Sequence, residues 1–320
     1  VMGPDEFHDG YPDAATSGLD NNAYTNIMAV WVLSRALDVL ERLSEMRRAE
    51  LTAQLDLSAE KIKRWDDISR RMYVPFHDNG IISQFEGYEK LRELDWEVYR
   101  TRYDNIQRLD LILEAEGDNI NRYKVSKQAD VLMLFYLFSS EELQELFERL
   151  DYSFEYETIP RNVEYYIGHS SHGSTLSRVV HAWVLARSDR PRAMEFFAQA
   201  LQSDFSDIQQ GTTAEGVHLG AMAGTVDLVQ RVSTGIEARG DVLRLNPELP
   251  PEMKRLDMRI RYRGHSLDLR LTHDSLMVRG HDGAAAPISL CVNGKVDEFV
   301  SGTTREFQLP FTPSAVSEVS

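Results

Sequence analysis

The spacing of the apolar residues changes once along this chain of 320 residues, and that change limits its fold more than any other feature. From residue 23 to about residue 231 the apolar positions recur at intervals of three and four. Ile27, Val30, Leu33, Leu37, Leu40 and Leu43 open the series, which is the spacing of an amphipathic helix over residues 23–50. Asn21 and Asn22 are good caps for it. Further helices are expected over 58–73 behind Ser58, within 92–115, over 129–138, over 141–150 behind Ser139, and over 174–187, 191–202 and 214–231. Residues 129–138 are apolar on nearly every face, which reads as a helix buried on all sides. Residues 74–90 and the Tyr-rich 151–172 read as loops. The first of these either lines a substrate rim or merely connects.

After the Pro-Glu-Leu-Pro-Pro of residues 247–251 the period becomes two. Residues 258–262, 266–271, 275–278 and 288–292 alternate between Gly and Asn-Gly turns, the pattern of an antiparallel sheet. Residues 242–245 read as one more strand of it. The chain is therefore expected to be mainly α, with a helical domain over 1–250 and a small β-domain over 251–320.

Net charge is −16 with an isoelectric point near 5.0. That argues against nucleic acid and anionic membrane as partners, because both need basic surface. Any phosphate site must be built locally, from helix N-termini, backbone N–H groups and a few cations. The one cysteine, Cys291, allows neither an internal disulfide nor a zinc cluster. No apolar run reaches about 18 residues, and no signal peptide is seen.

Four places carry chemistry-bearing residues in a pattern. Gly3-Pro4-Asp5-Glu6-Phe7-His8 cannot be helical around Pro4, so Glu6 sits on a loop just before the first helix. Such a carboxyl suits proton transfer, although a solvated acidic loop would look the same. Lys127 and Gln128 precede the all-apolar helix, and their donors and acceptor suit sugar hydroxyls. His172-Gly173-Ser174-Thr175-Leu176-Ser177 combines hydroxyls, a Gly and a helix start, which together suit an anion. His218, in Glu215-Gly216-Val217-His218, opens another helix. Ser174 as a plain cap and His218 as a structural residue are the unadorned alternatives.

These stretches, with Asn21-Asn22-Ala23-Tyr24-Thr25-Asn26, Lys127-Gln128-Ala129-Asp130, the 210–218 segment Gln-Gly-Thr-Thr-Ala-Glu-Gly-Val-His and Tyr262-Arg263-Gly264, resemble in content and order the signature of glycoside hydrolase family 65. That family comprises maltose, kojibiose and trehalose phosphorylases. The resemblance implies the C-terminal part of an (α/α)6 barrel followed by a small antiparallel β-domain, that is, the C-terminal half of such an enzyme.

It also implies inverting phosphorolysis of an α-glucosidic disaccharide to β-glucose 1-phosphate and a free sugar. Glu6 would be the general acid. Lys127 and Gln128 would hold the glucosyl unit. His172, Ser174, Thr175 and His218 would bind inorganic phosphate, the co-substrate, with no metal and no further cofactor. Family hydrolases carry an acid where this chain has Gly and hydroxyls at 173–175, which favours phosphorolysis over hydrolysis. Asp5 is expected to be a scaffold residue. The spacer 9–20 is longer than the link of maltose phosphorylases, which leaves the acceptor sugar open. The same resemblance leads to expectations of a cytoplasmic enzyme, a homodimer, and dependence on a missing N-terminal half without which the chain is an inactive module.

Overall fold

The computed structural model describes residues 3–186, 188–206, 216–251 and 253–310. The chain forms two compact units, Val1–His218 and Leu219–Ser320.

The first unit is helical. It runs through α1 (Ala23–Arg42), α2 (Glu45–Gln54), α3 (Ala59–Arg71), a two-residue ladder of β1 (Phe76–His77) and β2 (Ile81–Ile82), then α4 (Trp96–Arg102), α5 (Leu109–Ala115), α6 (Asp130–Leu137), α7 (Ser140–Arg149), α8 (Thr158–Gly168), α9 (Thr175–Leu185) and α10 (Arg190–Gln202). The caps follow the sequence closely. Asn22 accepts from the Thr25 N–H, Ser58 from Lys61 N–H, and Ser139 with Glu142 makes a reciprocal capping box. Helix α6 packs against α1, α8 and α9. Its Val131, Leu132, Leu134 and Phe135 are wholly buried, as an all-apolar helix requires.

Two expectations change. The long first helix divides, because Ser44 takes up an extended conformation and caps α2 through the Arg47 N–H. Within 92–115, as expected, the chain is helical, in two helices of seven residues each. The Tyr-rich segment expected as loop contains α8. Its Ile159, Val163, Tyr166 and Ile167 are buried at a helical spacing. Tyr166 and Asn162 mask the stripe because they serve backbone groups: Asn162 Oδ1 accepts from Ile82 N–H at 2.8 Å, and the Tyr166 hydroxyl donates to the Ile82 carbonyl. Pro160 stands in the first turn, where a missing N–H is harmless.

The second unit begins with α11 (Leu219–Thr234). The residues before 216 in the expected 214–231 helix lie outside the described residues. Ten strands are described in the chain; eight belong here: β3 (Glu237–Arg239), β4 (Val242–Leu245), β5 (Leu256–Tyr262), β6 (His265–Leu271), β7 (Ser275–Gly280), β8 (Ile288–Val292), β9 (Lys295–Phe299) and β10 (Thr304–Gln308). They form two four-stranded sheets, ordered β10-β7-β6-β5 and β3-β4-β8-β9. The first is antiparallel throughout.

The second sheet corrects the expectation of purely antiparallel β, since β4 pairs with β8 in parallel. The long crossover such a pairing needs is supplied by the β5–β7 meander of the other sheet. Residues 242–245 are thus a strand, though not of the sheet formed by 258–278. Leu243, Leu245, Leu290 and Val292 from one sheet meet Leu267, Leu269, Leu271, Leu276 and Val278 from the other in one core, a sandwich built by period-two burial on both faces. Among the described residues no helix is long and apolar enough to cross a membrane.

Candidate active site

The loop ahead of α1 turns its neighbouring acids to opposite sides. Asp5 is buried. Its carboxylate accepts from the Lys127 N–H at 2.9 Å, from Gln84 Nε2 at 3.2 Å and from the Phe7 N–H at 3.4 Å, and faces His8 Nδ1 at 3.3 Å. Its own N–H donates to Asp130 Oδ1. Asp130 also accepts from Asn22 Nδ2 at 2.6 Å, and its N–H donates to Gln84 Oε1 at 2.7 Å. A Cβ on Gly3 would fall 1.7 Å from Asp130 Oδ2, so only glycine lets the loop lie this close. Burial first, and the Asp5 charge second, push the Asp130 carboxyl up to about 7, although the Asn22 and Asp5 donors oppose the shift. Phe7 anchors the loop among Leu94, Leu109, Leu113 and Val125.

Glu6 faces out, with 71% of its side chain exposed, and is held by the Lys127 ammonium. Lys127 therefore touches both acids, by its backbone N–H and by its Nζ. The segment before α6 lies beside the segment before α9. Ser126 N–H donates to the His169 carbonyl and Ser171 N–H to the Ser126 carbonyl, each at 2.9 Å. Ser177 Oγ donates to the Lys127 carbonyl at 3.2 Å. Gly173 is wedged between the two: a Cβ there would stand 2.3 Å from the Gln107 carbonyl and 3.2 Å from Lys127 Cγ.

Ser174 is the N-cap of α9. Its Oγ accepts from the Leu176 N–H at 3.2 Å, and its carbonyl takes the Ser177 N–H, so two first-turn donors are already engaged. Thr175 is buried at the first helical position. His172 adopts a left-handed backbone with φ 54°. Its ring meets His181 and Phe196 edge-on or tilted at 5.0 and 5.5 Å, and its Nδ1 has no partner. Burial, then the Arg178 and Arg100 charges, push its pKa down to about 4, so the ring is neutral at neutral pH.

The structure thus brings Glu6, Lys127 and the 172–177 loop together. His218 stands differently: its Nδ1 and N–H bond the Asp204 carboxylate at 2.6 and 3.0 Å, with no hydrogen bond to His172, Ser174 or Thr175. Gln128 is half-buried, and its amide bonds no described residue. Residues 210–215 of the motif before His218 lie outside the described residues. Sequence reasoning missed Gln84 and the cationic partners Arg100 and Arg178 altogether. Asn22 and Asp130 stood inside quoted motifs, but only their neighbours drew attention.

Residues 1–227 match the family model of the glycosyl hydrolase family 65 central catalytic domain, and residues 236–296 match that of the family 65 C-terminal domain. The chain belongs to glycosyl hydrolase family 65. Among family relatives, an uncharacterized glycosyl hydrolase of Mycobacterium tuberculosis is 54% identical over 96% of this chain and 23% of its own length. Trehalose 6-phosphate phosphorylase of Lactococcus lactis is 35% identical over 87% of this chain and 35% of its own. Kojibiose phosphorylase of Caldanaerobacter subterraneus is 29% identical over 92% and 36%. The fold is shared with a solved structure assigned as a kojibiose phosphorylase from the human microbiome, at a TM-score of 0.74 and 22% identity, covering 97% of this chain and 39% of that one. The chain therefore spans between about a quarter and two fifths of the length of these proteins.

Proposed function

We propose that this family 65 chain carries the proton donor and the phosphate-binding segment of an inverting disaccharide phosphorylase, within the C-terminal part of an (α/α)6 barrel. The observation that carries the reading is the division of labour in the first loop. Asp5 is locked by donors on every side, while Glu6 beside it is exposed and held only by the ammonium of Lys127. The names of the Lactococcus and Caldanaerobacter relatives point the same way.

Glu6 protonates the leaving glycosidic oxygen as phosphate attacks the anomeric carbon from the opposite face. The products are β-glucose 1-phosphate and the free leaving sugar. A phosphorylase needs no second carboxylate, because phosphate is itself the nucleophile, whereas an inverting hydrolase needs one to activate water. Lys127 and Gln128 hold the glucosyl unit, so Lys127 exchanges Glu6 for sugar hydroxyls when substrate binds. His172, Ser174, Thr175 and His218 receive the phosphate. Each hydrogen bond to it is worth about 1.5–3 kcal/mol.

The test is to assay the enzyme on maltose, kojibiose, nigerose, trehalose and trehalose 6-phosphate, with and without phosphate, following the anomer formed by NMR. Sugar release that requires phosphate and yields the β-anomer is expected. Glu6→Gln should lower kcat roughly 10²- to 10⁴-fold and leave the fold intact, because the side chain is exposed. Equal release without phosphate would overturn the reading in favour of hydrolysis.

A further inference from the structure

Gln84, in the stretch between α3 and α4, is 1% exposed and joins three segments far apart in the chain. Its carbonyl accepts from the Ala23 N–H, the first of α1, at 2.9 Å. Its Oε1 accepts from the Asp130 N–H, the first of α6, at 2.7 Å. Its Nε2 donates to Asp5 Oδ2 at 3.2 Å. The amide stands only this way round, because one end faces an N–H and Oε1 alone can accept it. The NH₂ end then meets the Asp5 carboxylate.

Capping by itself does not explain this arrangement. The first N–H groups of a helix need an acceptor, and the residue just before the helix ordinarily supplies it. Before α6 that residue is Ala129, which makes no side-chain cap. A serine there would cap α6 locally. The chain instead brings a glutamine from 46 positions away, whose other end reaches the acid loop across 79. That reach ties together two things a local cap leaves independent: the entrance of α6, with Lys127 and Gln128, and the loop that carries Glu6. The clamp is itself held. Asn162 and Tyr166 of α8 bond both backbone groups of Ile82. The Ser83 N–H donates to the Pro75 carbonyl at 2.9 Å, and its Oγ pairs with His77 Nδ1 at 2.7 Å.

We propose that Gln84 is a positioning residue for proton transfer, setting where Glu6 stands relative to the glucosyl unit at Lys127 and Gln128. The inference rests on the reading of Glu6 as the proton donor. Helix α6 is fixed by its buried faces against α1, α8 and α9, so the acid loop is the part that shifts when the clamp is lost. Gln84 acts on Glu6 through Asp5. A displacement of about 1 Å at a reacting group can cost ~10²-fold in rate.

Two substitutions test this by steady-state kinetics over a range of pH, on the substrate of the assay panel that the parent enzyme phosphorolyses fastest. Gln84→Met keeps the length of the side chain and loses both of its bonds. It should lower kcat between about tenfold and a hundredfold at every pH and leave KM for inorganic phosphate unchanged, because the phosphate is placed at α9 and the loop before it. Gln84→Glu is the conservative arm. While protonated, its carboxyl accepts through C=O and donates through O–H, as the amide does. Once ionised, it offers Asp5 no donor and adds a charge. Burial and the neighbouring Asp5 favour the protonated form. Asp5, the His8 ring bonded to it, Asp130 and the Tyr166 hydroxyl are the titratable groups around this position. Taken relative to the parent at each pH, kcat of Gln84→Glu should lie near the parental value at the acid end and fall as pH rises.

Parental kcat in Gln84→Met would overturn the proposal. So would a rise in phosphate KM that matches the loss of kcat, because the whole site would then be disturbed. A Gln84→Glu enzyme whose kcat relative to the parent is the same at every pH would also overturn it, and this arm decides alone should Gln84→Met fail to fold. Were Glu6 not the proton donor, Glu6→Gln would keep the parental kcat, a result read separately from these ratios.

Discussion

Asp5 and Glu6 are adjacent in the chain and opposite in environment. One carboxylate is fixed by backbone and side-chain donors, and the other is exposed and paired with the Lys127 ammonium. The fixed one exacts something from its neighbour. Asp130, packed against it, keeps its proton up to about pH 7 because a second buried negative charge beside Asp5 is unfavourable. Its folded pKa lies above the unfolded value of 3.8. Between these limits the folded chain binds a proton that the unfolded chain has lost. The stability this contributes is complete below pH 3.8 and disappears as pH rises through about 7. Asp130→Asn cannot titrate. It leaves one of the two donors, Asp5 N–H or Asn22 Nδ2, facing an NH₂ group, so it should be less stable than the parent at pH 4 and close that gap as pH rises to 7. Urea midpoints at several pH values check this. A gap that stays constant would show that Asp130 is ionised throughout.

At the scale of elements, α6 organises the first unit. Lys127 and Gln128 stand at its entrance, Asp130 forms its first turn, and α1, α8 and α9 surround it. Phe135 is wholly buried near its middle. Phe135→Ala should destabilise by about 3–5 kcal/mol, read as a lowered denaturation midpoint. A loss under about 1 kcal/mol would mean that neighbouring side chains close the space. Such a helix is readable from sequence because being apolar on every face is a local property. The same holds for the caps at Asn22, Ser58 and Ser139, and for the alternation in β6 and β7. Helix α8 was not readable. Its inward Tyr166 and Asn162 are there to satisfy the backbone of Ile82 in β2, some 80 residues earlier, and polar side chains at those positions look like loop.

For the molecule as a whole, burial lowers the pKa of three histidines among the described residues. The pKa of His77 is lowered, that of His172 falls to about 4, and that of His181, with both ring nitrogens unpartnered, falls well below its ordinary value. In each case the folded pKa is below the unfolded 6.5. Their contribution is present above pH 6.5 and lost as pH falls, because the unfolded chain then takes up protons that the folded chain refuses. This slope runs against that of Asp130, and three groups oppose one. Stability should fall on acidification from pH 6.5 toward 4, and His181→Phe should flatten that fall. An identical pH profile in the variant would show that His181 does not stay neutral.

What the sequence determined alone is what local pattern encodes: helices where apolar residues recur every three to four positions, strands where they alternate, loops at Pro and Gly, and the ordered motifs that mark family 65. Tertiary structure decided the rest. Nothing in the local pattern says that Lys127 meets Asp5 by its backbone and Glu6 by its side chain, across separations of 122 and 121 positions. Nothing marks Arg178 as a buried cation, because an Arg in a helix ordinarily faces water. Nor does alternation reveal that β4 and β8 run parallel. Hydrogen bonds and charges act through space at a few ångströms, whereas periodicity records only which face of an element avoids water. The chemistry of the site therefore appears when the chain has folded.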